Sequence, residues 1–293
     1  MRNKSFTLIE ILVVIVIIGI LSAFIIVSMS GVSDKARIAK GQAFSNSIKN
    51  SLMLNLVSEW RLDDASGTTA QDHWGANPGT WSGAGGGVYT SPSWRTSSEC
   101  VSGDCLAFDG TDDYVDCGTG NSLDITGAIT ISVWVYPKIN NAFGGIVTKS
   151  VDNKFQLVSR NNGYFEIYVE NSSSVGKSIS NVPITVNAWQ HLVAVFNPSE
   201  QYLYLYKDVV ETSTSCTIGD LKSSSASAFI GKYSGYYFNG LIDDVRIYSV
   251  AIPTSQIRQD YCLGLNKLLL NSSINKEEFT QRLSGLSNSL ADN

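Results

Sequence analysis

The chain opens with an almost unbroken apolar stretch over residues 6–29, which holds one ionised side chain, Glu10. A helix rises about 1.5 Å per residue, so these residues reach about 36 Å, more than the roughly 30 Å hydrocarbon layer of a bilayer. Arg2 and Lys4 precede the stretch, and such positive charge stays on the cytoplasmic side. The pattern predicts a membrane helix with its N-terminus in the cytoplasm.

Residues 30–56 continue with apolar positions at helical spacing, interleaved with Asp, Lys and Arg. This pattern predicts an amphipathic continuation of the membrane helix that lifts the following part of the chain off the membrane. The cationic positions have two interpretations that the sequence leaves open. They belong either to a stripe for lateral packing or to a solvated face.

After this helix the hydrophobic period falls to two. In residues 130–136, Val133 and Val135 share one face and Trp134 takes the other, as in a half-buried strand. Residues 190–196 form a more continuous apolar run, as expected of a strand covered on both faces. Clusters of Gly, Asn, Asp and Ser separate many such short runs. The pattern predicts an all-β antiparallel sandwich of two sheets.

Beyond Tyr248 the pattern is helical again. It predicts a short helix over residues 253–261 and then two small amphipathic helices within residues 263–290, with a cap near Asn275. Two alternatives remain for this tail. It docks on the sandwich or on a neighbouring subunit, or it is a weakly ordered extension.

Composition narrows the class of protein. The chain has 293 residues, a net charge of −5 and 16% charged residues. Mild acidity argues against nucleic-acid binding, which needs basic patches. Many Ser, Thr, Asn, Gly and Tyr residues with few charges indicate an exposed β-rich domain outside the cell.

The start of the chain carries a recognisable motif. A five-residue basic leader is followed by Phe6, Thr7, Leu8, Ile9 and Glu10. This arrangement resembles the leader and methylation motif of type IV prepilins and pseudopilins. The resemblance implies cleavage by a prepilin peptidase between Ser5 and Phe6, N-methylation of Phe6, and a role for Glu10 in assembly with other pilin subunits. The sequence departs from the family in having Ser5 where Gly is usual.

The free-energy cost of a charge in the membrane explains why Glu10 needs a partner. A carboxylate in the hydrocarbon layer costs about 2.5–3.5 kcal/mol on insertion scales, so it persists where a partner compensates it. In a filament, the freed amine of Phe6 on one subunit neutralises Glu10 of another and favours assembly. The alternative is a plain signal anchor in which Glu10 reaches the membrane surface.

The β-rich part carries a second resemblance, to the laminin G-like domains of the concanavalin A-like jelly-roll superfamily. It covers nearly all of residues 57–261. The landmarks in chain order include WRLD at 60–63, LAFDG at 106–110, DYV at 113–115, WQH at 189–191, LYLY at 203–206 and FNGLIDDVRIY at 238–248. Proteins of this fold act mostly as carbohydrate- or protein-binding modules, and some are glycosidases. The resemblance therefore implies a jelly roll with a binding role.

A structural calcium ion is implied by the same resemblance. Alternation places Asp243 on the face of Val245, toward the core, where a charge needs a partner. Asp72, Gly75 and Asn77 lie in the loop expected to supply further oxygen ligands. The alternative is that Asp243 accepts backbone N–H bonds and Asp72 caps a turn.

Five cysteines lie in a domain expected outside the cytoplasm, where disulfides are permitted. Cys100 and Cys105 flank a short loop with a glycine, which predicts a local disulfide. Cys117, Cys216 and Cys262 cannot be paired from the sequence. A zinc site is not expected, because neither histidine has ligand spacing to a cysteine.

Candidate chemistry beyond binding is sparse. Glu166 and Glu170 are the nearest match to a glycosidase pair, and they lack the middle aspartate of the usual motif. No nucleophile elbow is present, although composition leaves a Ser-His-Asp arrangement open. The aromatic run at residues 233–238 is either a sugar-stacking or partner surface, or a set of ordinary surface tyrosines beside a core Phe238.

Together these patterns predict a leader at 1–5, a membrane helix at 6–29, its continuation at 30–56, a laminin G-like jelly roll at 57–262 and a helical tail at 263–293. The expected protein is a non-enzymatic pilin-like subunit, and its large C-terminal domain suits a minor or tip class better than a tightly packed major one. It is anchored in the cytoplasmic membrane, assembles into a surface filament and recognises a glycan or surface protein. The rivals are a monomeric membrane-anchored lectin and a surface glycoside hydrolase.

Overall fold

Alternating apolar residues build eighteen short strands within the residues that the computed structural model describes, 53–83, 93–149 and 154–291. Numbered along the chain, they are β1 Leu56–Trp60, β2 Thr69–Ala70, β3 Gly79–Ser82, β4 Ser93–Arg95, β5 Cys105–Asp109, β6 Tyr114–Asp116, β7 Ile129–Pro137, β8 Gly144–Lys149, β9 Phe155–Ser159, β10 Tyr164–Glu170, β11 Gly176–Pro183, β12 Gln190–Asn197, β13 Tyr202–Lys207, β14 Val210–Ser215, β15 Phe229–Ile230, β16 Lys232–Tyr233, β17 Tyr236–Tyr237 and β18 Asn239–Tyr248. The helices are a 3₁₀ turn at Asn121–Leu123, α1 at Thr254–Leu270 and α2 at Lys276–Ala291.

The strands form two sheets. The first sheet runs β14-β13-β12-β7-β18-β5-β4, with β1 also paired to β18. The second sheet runs β11-β10-β9-β8-β15-β6-β3-β2, and the β16–β17 hairpin joins it at β8. Pairing is antiparallel apart from one parallel contact of β17 with β8. The result is an antiparallel, jelly-roll-like β-sandwich, as the sequence predicts.

The main core lies between the two sheets. On β7, Val133 and Val135 are buried in this core, whereas Trp134 points to the opposite face. Strand β12 is buried from Gln190 to Phe196, which confirms the prediction of a strand covered on both faces. Each inward row meets a matching row from the other sheet, so period two in the sequence becomes one shared apolar layer.

A second apolar cluster covers the outer face of the first sheet. The Trp134 ring stacks on Tyr261 of α1 at 5.7 Å between ring centroids, and Leu265 and Leu268 are buried beside them. The sequence pattern predicts that this helix ends at Tyr261 and that the jelly-roll domain ends at Cys262. In the structure α1 continues to Leu270. Tyr261, Leu265 and Leu268 are four and three residues apart, so they form one buried stripe that an interrupted helix would break.

Helix α2 also packs on the sandwich. Asn275 caps its start by accepting the backbone N–H of Glu278 at 2.9 Å, as predicted. Arg282 donates to the carbonyl of Trp189 at 2.8 Å, and Phe279 and Leu283 pack against the second cluster. The described tail therefore docks on the domain to which it is attached.

The compact unit Asn55–Asn293 contains the whole sandwich and both helices. No helix among the described residues combines the length and apolar character that a membrane crossing requires. The predicted leader and membrane helix, and the continuation as far as residue 52, lie outside the described residues.

Candidate functional site

The outer face of the second sheet carries polar and aromatic side chains. On β10, Tyr164, Glu166, Tyr168 and Glu170 alternate with residues that are buried in the core. Tyr168 lies opposite Gln156, which in turn lies opposite Thr148 of β8. Directly opposed residues share a face, so these side chains all point away from the core.

The β16–β17 hairpin lies against this outer face. Thr148 Oγ1 donates to the carbonyl of Lys232 at 2.7 Å, which ties the hairpin to the sheet. Tyr236 is 51% exposed, and its ring lies 4.7 Å from that of Phe143, which is also 5.3 Å from Tyr233. Tyr233 and Tyr236 stack on each other at 6.5 Å. Three rings from two separate segments therefore form one aromatic patch at the surface.

Charged and hydroxyl groups border the aromatic patch. The Arg160 guanidinium lies 4.8 Å from the centre of the Phe143 ring and 3.6 Å from the Glu166 carboxylate. Tyr168 donates to Glu170 at 2.6 Å, and burial, this hydrogen bond and the neighbouring Tyr233 raise the pKa of Tyr168 to about 12. Tyr168 thus stays a neutral hydroxyl at physiological pH. We call this surface the hairpin face and define it by Phe143, Arg160, Glu166, Tyr168, Tyr233 and Tyr236.

The remaining aromatic residues of the predicted run have other places. Phe238 is 1% exposed and belongs to the core, as one of the two sequence interpretations holds. Tyr237 turns toward Tyr114, at 6.3 Å between rings. The Lys232 ammonium lies 3.7 Å from the centre of the Tyr114 ring, so a lysine already covers that ring.

The two glutamates of the hydrolase alternative, Glu166 of the hairpin face and Glu170, both lie on the outer side of β10. Glu166 and Glu170 are four residues apart on one strand, which places their Cα atoms about 13 Å apart. Paired catalytic carboxylates in glycosidases are about 5–9.5 Å apart. Glu166 faces Arg160, and Glu170 faces Tyr168 and Lys222, at 3.9 Å.

The loop around Asp72 is brought together as expected, but by hydrogen bonds. The Asp72 carboxylate accepts backbone N–H groups from Glu59 at 2.9 Å, Trp74 at 3.1 Å, Gly75 at 2.8 Å and Asn77 at 3.0 Å. Burial raises the pKa of Asp72, the hydrogen bonds lower it, and the net shift is downward. A Cβ at Gly75 would clash with the backbone carbonyl of Val57, so this close loop needs glycine. Asp72 caps a turn.

Asp243 is buried, as predicted, but does not point into the core between the sheets. A register shift between Asp243 and Arg246, with Asp244 at φ +48°, breaks the alternation from which that direction was inferred. Asp243 Oδ2 instead accepts the N–H groups of Val101 at 2.9 Å and Ser102 at 3.1 Å. Among the described residues it shares no hydrogen-bond partner with Asp72, and N–H donors occupy both carboxylates. The calcium ion expected at Asp72, Gly75, Asn77 and Asp243 stays a prediction.

The loop whose N–H groups donate to Asp243 is the loop closed by the predicted disulfide. Cys100 and Cys105 are bonded and fully buried. Asn271, at the end of α1, donates to the carbonyl of Val101 at 3.2 Å, so the loop lies beneath the turn between the helices. Cys117 and Cys216 are free thiols in the core, and Cys262 is a half-buried free thiol. The short disulfide therefore stiffens a loop that anchors both Asp243 and the helices.

Composition leaves a Ser-His-Asp triad open, but Ser132, His191 and Asp208 do not form one. Ser132 Oγ lies 2.9 Å from His191 Nε2, but both residues are buried. Trp134 stacks on the imidazole at 4.9 Å. Asp208 accepts the backbone N–H of His191 at 2.9 Å, and Nδ1 has no hydrogen-bond partner among the described atoms. The geometry is that of a packed core histidine.

Sequence reasoning missed Phe143, Arg160 and Tyr168 as members of the hairpin face. Phe143 lies 90 positions before Tyr233 in the chain, and only the sheet pairing brings the two together. The alternation of Tyr164, Glu166, Tyr168 and Glu170 was the one available signal, because it marks a polar outer row on a strand. Periodicity identifies such a row but not what lies beside it.

Two family models match the sequence. One, described as the concanavalin A-like lectin/glucanases superfamily, matches residues 109–258, just over half of the chain. The other, the prokaryotic N-terminal methylation motif, matches residues 1–26. Among curated proteins no sequence match is found.

Several solved structures share the fold. The binding domain of Paraclostridial Mosquitocidal Protein 1 matches 73% of this chain and 53% of its own, with 14% identity and a TM-score of 0.59. Another is domain 4 of AbnA, a GH43 extracellular arabinanase from Geobacillus stearothermophilus, in complex with arabinotriose. It matches 70% of this chain and 97% of its own, with 20% identity and a TM-score of 0.52.

A third similar structure is the ligand-binding domain of botulinum neurotoxin serotype D in complex with N-acetylneuraminic acid. It matches 73% of this chain and 52% of its own, with 14% identity and a TM-score of 0.55. The chain thus spans about half the length of the toxin domains that it matches. At these identities the similarity establishes the fold alone, a lectin-like β-sandwich.

Proposed function

Because the chain belongs to the concanavalin A-like lectin/glucanases superfamily and begins with a prokaryotic N-terminal methylation motif, we propose that it is a pilin-like filament subunit whose β-sandwich binds glycan. The methylation motif supports membrane anchoring followed by assembly with other pilin subunits at the cell surface. The lectin-like fold supports recognition rather than catalysis. The subunit would act in adhesion.

The hairpin face carries the binding part of this proposal. Sugar rings present apolar C–H surfaces and many hydroxyls, so they bind where aromatic rings lie next to hydrogen-bonding groups. Phe143, Tyr233 and Tyr236 supply the rings. Arg160 and Tyr168 supply donors, and Glu166 supplies acceptors. Two structures with the same fold hold arabinotriose and N-acetylneuraminic acid, which supports a saccharide as the ligand class.

Glycan binding is tested with the full-length protein in detergent micelles. A glycan array that includes arabino-oligosaccharides and sialylated glycans selects a ligand, and calorimetry then measures its Kd. We expect Tyr236→Ala to weaken binding at least about tenfold, a loss of about 1.4 kcal/mol, because Tyr236 is the most exposed ring of the face.

Tyr202→Ala is the matched control, since Tyr202 is 41% exposed on the first sheet, away from the hairpin. We expect the Kd to stay unchanged in this variant. Absence of any bound glycan, or an equal loss in both variants, would argue against the hairpin face as the binding site.

The filament part of the proposal depends on Glu10. The carboxylate costs about 2.5–3.5 kcal/mol in the hydrocarbon layer unless the Phe6 amine of another subunit neutralises it. Glu10→Val should therefore leave membrane insertion intact and remove the protein from fibres sheared off the cell surface. Quantitative blotting of the membrane and sheared fractions measures this. If Glu10→Val enters fibres like the wild type, neutralisation of Glu10 does not drive assembly. If neither protein is found in fibres, the chain is a membrane-anchored lectin instead.

We also propose that the protein is not a glycoside hydrolase. The spacing of Glu166 and Glu170 supports this, as does the pairing of each with a cation. Incubating the purified protein with the oligosaccharide that it binds, followed by chromatography of the products, tests the point. We expect intact oligosaccharide, and time-dependent shortening that Glu166→Gln abolishes would reinstate the hydrolase alternative.

A further inference from the structure

The end of β5 and the turn that leads to β6 gather three carboxylates that are not part of the hairpin face. One oxygen each of Asp109, Asp112 and Asp113 lies within 4.8 Å of the others. Calcium binds oxygen ligands at 2.3–2.6 Å, so two ligands of one ion are separated by at most about 5 Å. The spacing of the three carboxylates is therefore compatible with a single ion.

Asp113 supplies a second observation, independent of that spacing. Its side chain is nearly inaccessible, with 2% of the residue exposed. Oδ2 accepts the backbone N–H of Asp109 at 3.0 Å, whereas Oδ1 is buried and has no hydrogen-bond partner among the described atoms. A buried carboxylate oxygen without a partner is costly, and a bound cation would remove that cost.

We propose that Asp109, Asp112 and Asp113 bind one divalent cation that prefers oxygen ligands, with Ca²⁺ as the best match. Asp109 is exposed and Asp112 half-buried, so water can complete the six to eight ligands that Ca²⁺ takes. Magnesium fits less well because it requires near-ideal octahedral geometry and retains most of its water.

The site adjoins the aromatic residues at the base of the hairpin. Tyr114 directly follows Asp113, and its ring lies 5.9 Å from Phe229 and 6.3 Å from Tyr237 of β17. An ion at the turn would hold Tyr114 against these rings. The site itself does not depend on the glycan-binding role, because its ligands are not part of the hairpin face.

Calcium titration of the full-length protein in a non-ionic detergent tests this proposal. After treatment with a chelator, calorimetry with CaCl₂ should report one ion per chain, and Ca²⁺ should raise the midpoint of thermal unfolding. Asp113→Asn removes one charged ligand but keeps an oxygen that accepts the Asp109 N–H. We expect it to weaken Ca²⁺ binding at least about tenfold.

Asp116→Asn is the matched control. It makes the same charge change three residues away, and an asparagine oxygen still accepts the Gly118 N–H that Asp116 accepts at 2.8 Å. We expect this variant to bind Ca²⁺ like the wild type. In the presence of chelator, Asp113→Asn should unfold at a temperature no lower than the wild type, which shows that it folds.

Two outcomes would overturn the proposal. One is the absence of binding up to about 5 mM Ca²⁺, beyond the range of extracellular calcium modules. The other is equal affinity in the wild type and Asp113→Asn, which would place the ion elsewhere. Glycan binding by the hairpin face is measured separately, so failure of one proposal leaves the other open to its own test.

Discussion

His191 shows how a single buried residue sets the pH range of the fold. It is 1% exposed and stacks on Trp134. Burial lowers the pKa of His191 to about 3, with the positive charge of Arg246 adding to that shift and Asp244 opposing it. An unfolded histidine titrates near 6.5. Between these two values the unfolded chain takes up a proton that the folded chain excludes.

The expected result is a loss of stability as the pH falls from about 6.5 toward 3. At pH 5, His191 alone should lower the free energy of unfolding by about 2 kcal/mol relative to pH 7.5. His191→Phe retains an aromatic ring and should lose this part of the pH dependence. Chemical denaturation of Asn55–Asn293 at both pH values measures it.

His73 offers the matched control because it is exposed and is the other histidine of the sequence. His73→Gln should keep the pH dependence of the wild type. If His191→Phe loses as much stability between pH 7.5 and 5 as the wild type, His191 does not stay neutral in the folded protein.

At the scale of elements, the contact of α1 with the sheet depends on a glycine. A Cβ at Gly264 would lie 2.6 Å from Cε2 of Trp134, so the helix can approach the indole this closely only without a side chain. Gly264→Ala gains helix propensity of up to about 1 kcal/mol but overpacks the interface by about 1–3 kcal/mol. We expect a net loss of about 1–2 kcal/mol.

Gly285 in α2 gives the opposite expectation. A Cβ there meets no atom of the described residues within 4 Å. Gly285→Ala should therefore stabilise the protein by about 0.5–1 kcal/mol through helix propensity alone. Denaturant unfolding of both variants provides the comparison. Equal effects of the two substitutions would mean that α1 does not pack on Trp134 as the structure has it.

Some features of the strands and helices could be predicted from the sequence and others could not. The faces of β7 could be predicted because period two directly encodes which side of a sheet is covered. The burial of β12 on both faces could be predicted from its run of apolar residues. The direction of the Asp243 side chain could not be predicted, since it depends on a bulge beside Asp244. The length of α1 was also missed, because Leu265 and Leu268 reveal their role only once Trp134 lies opposite them.

The candidate sites were predicted less well than the fold, because they too depend on contacts between residues that are far apart in the sequence. Bridging Cys100 and Cys105 required only a short loop, so that prediction is confirmed. The hairpin face joins Phe143 to Tyr233 and Tyr236 through pairing between distant strands. Contacts of that kind leave no local pattern in a single sequence.

The whole chain joins an N-terminal methylation motif to a lectin-like sandwich. The motif would supply anchoring and polymerisation, and the sandwich would supply recognition through the hairpin face. Each proposed function would have its own energetic basis: neutralisation of Glu10 in the membrane, and stacking on Tyr236 at the surface. Display of many copies along a fibre would raise the avidity of a weak glycan site.

Mass spectrometry of fibres sheared from the surface of the producing cells tests the central claim most directly. The account predicts a mature chain that begins with N-methylated Phe6 and is enriched in the sheared fraction. A chain that retains Met1 and stays entirely in the membrane fraction would contradict it.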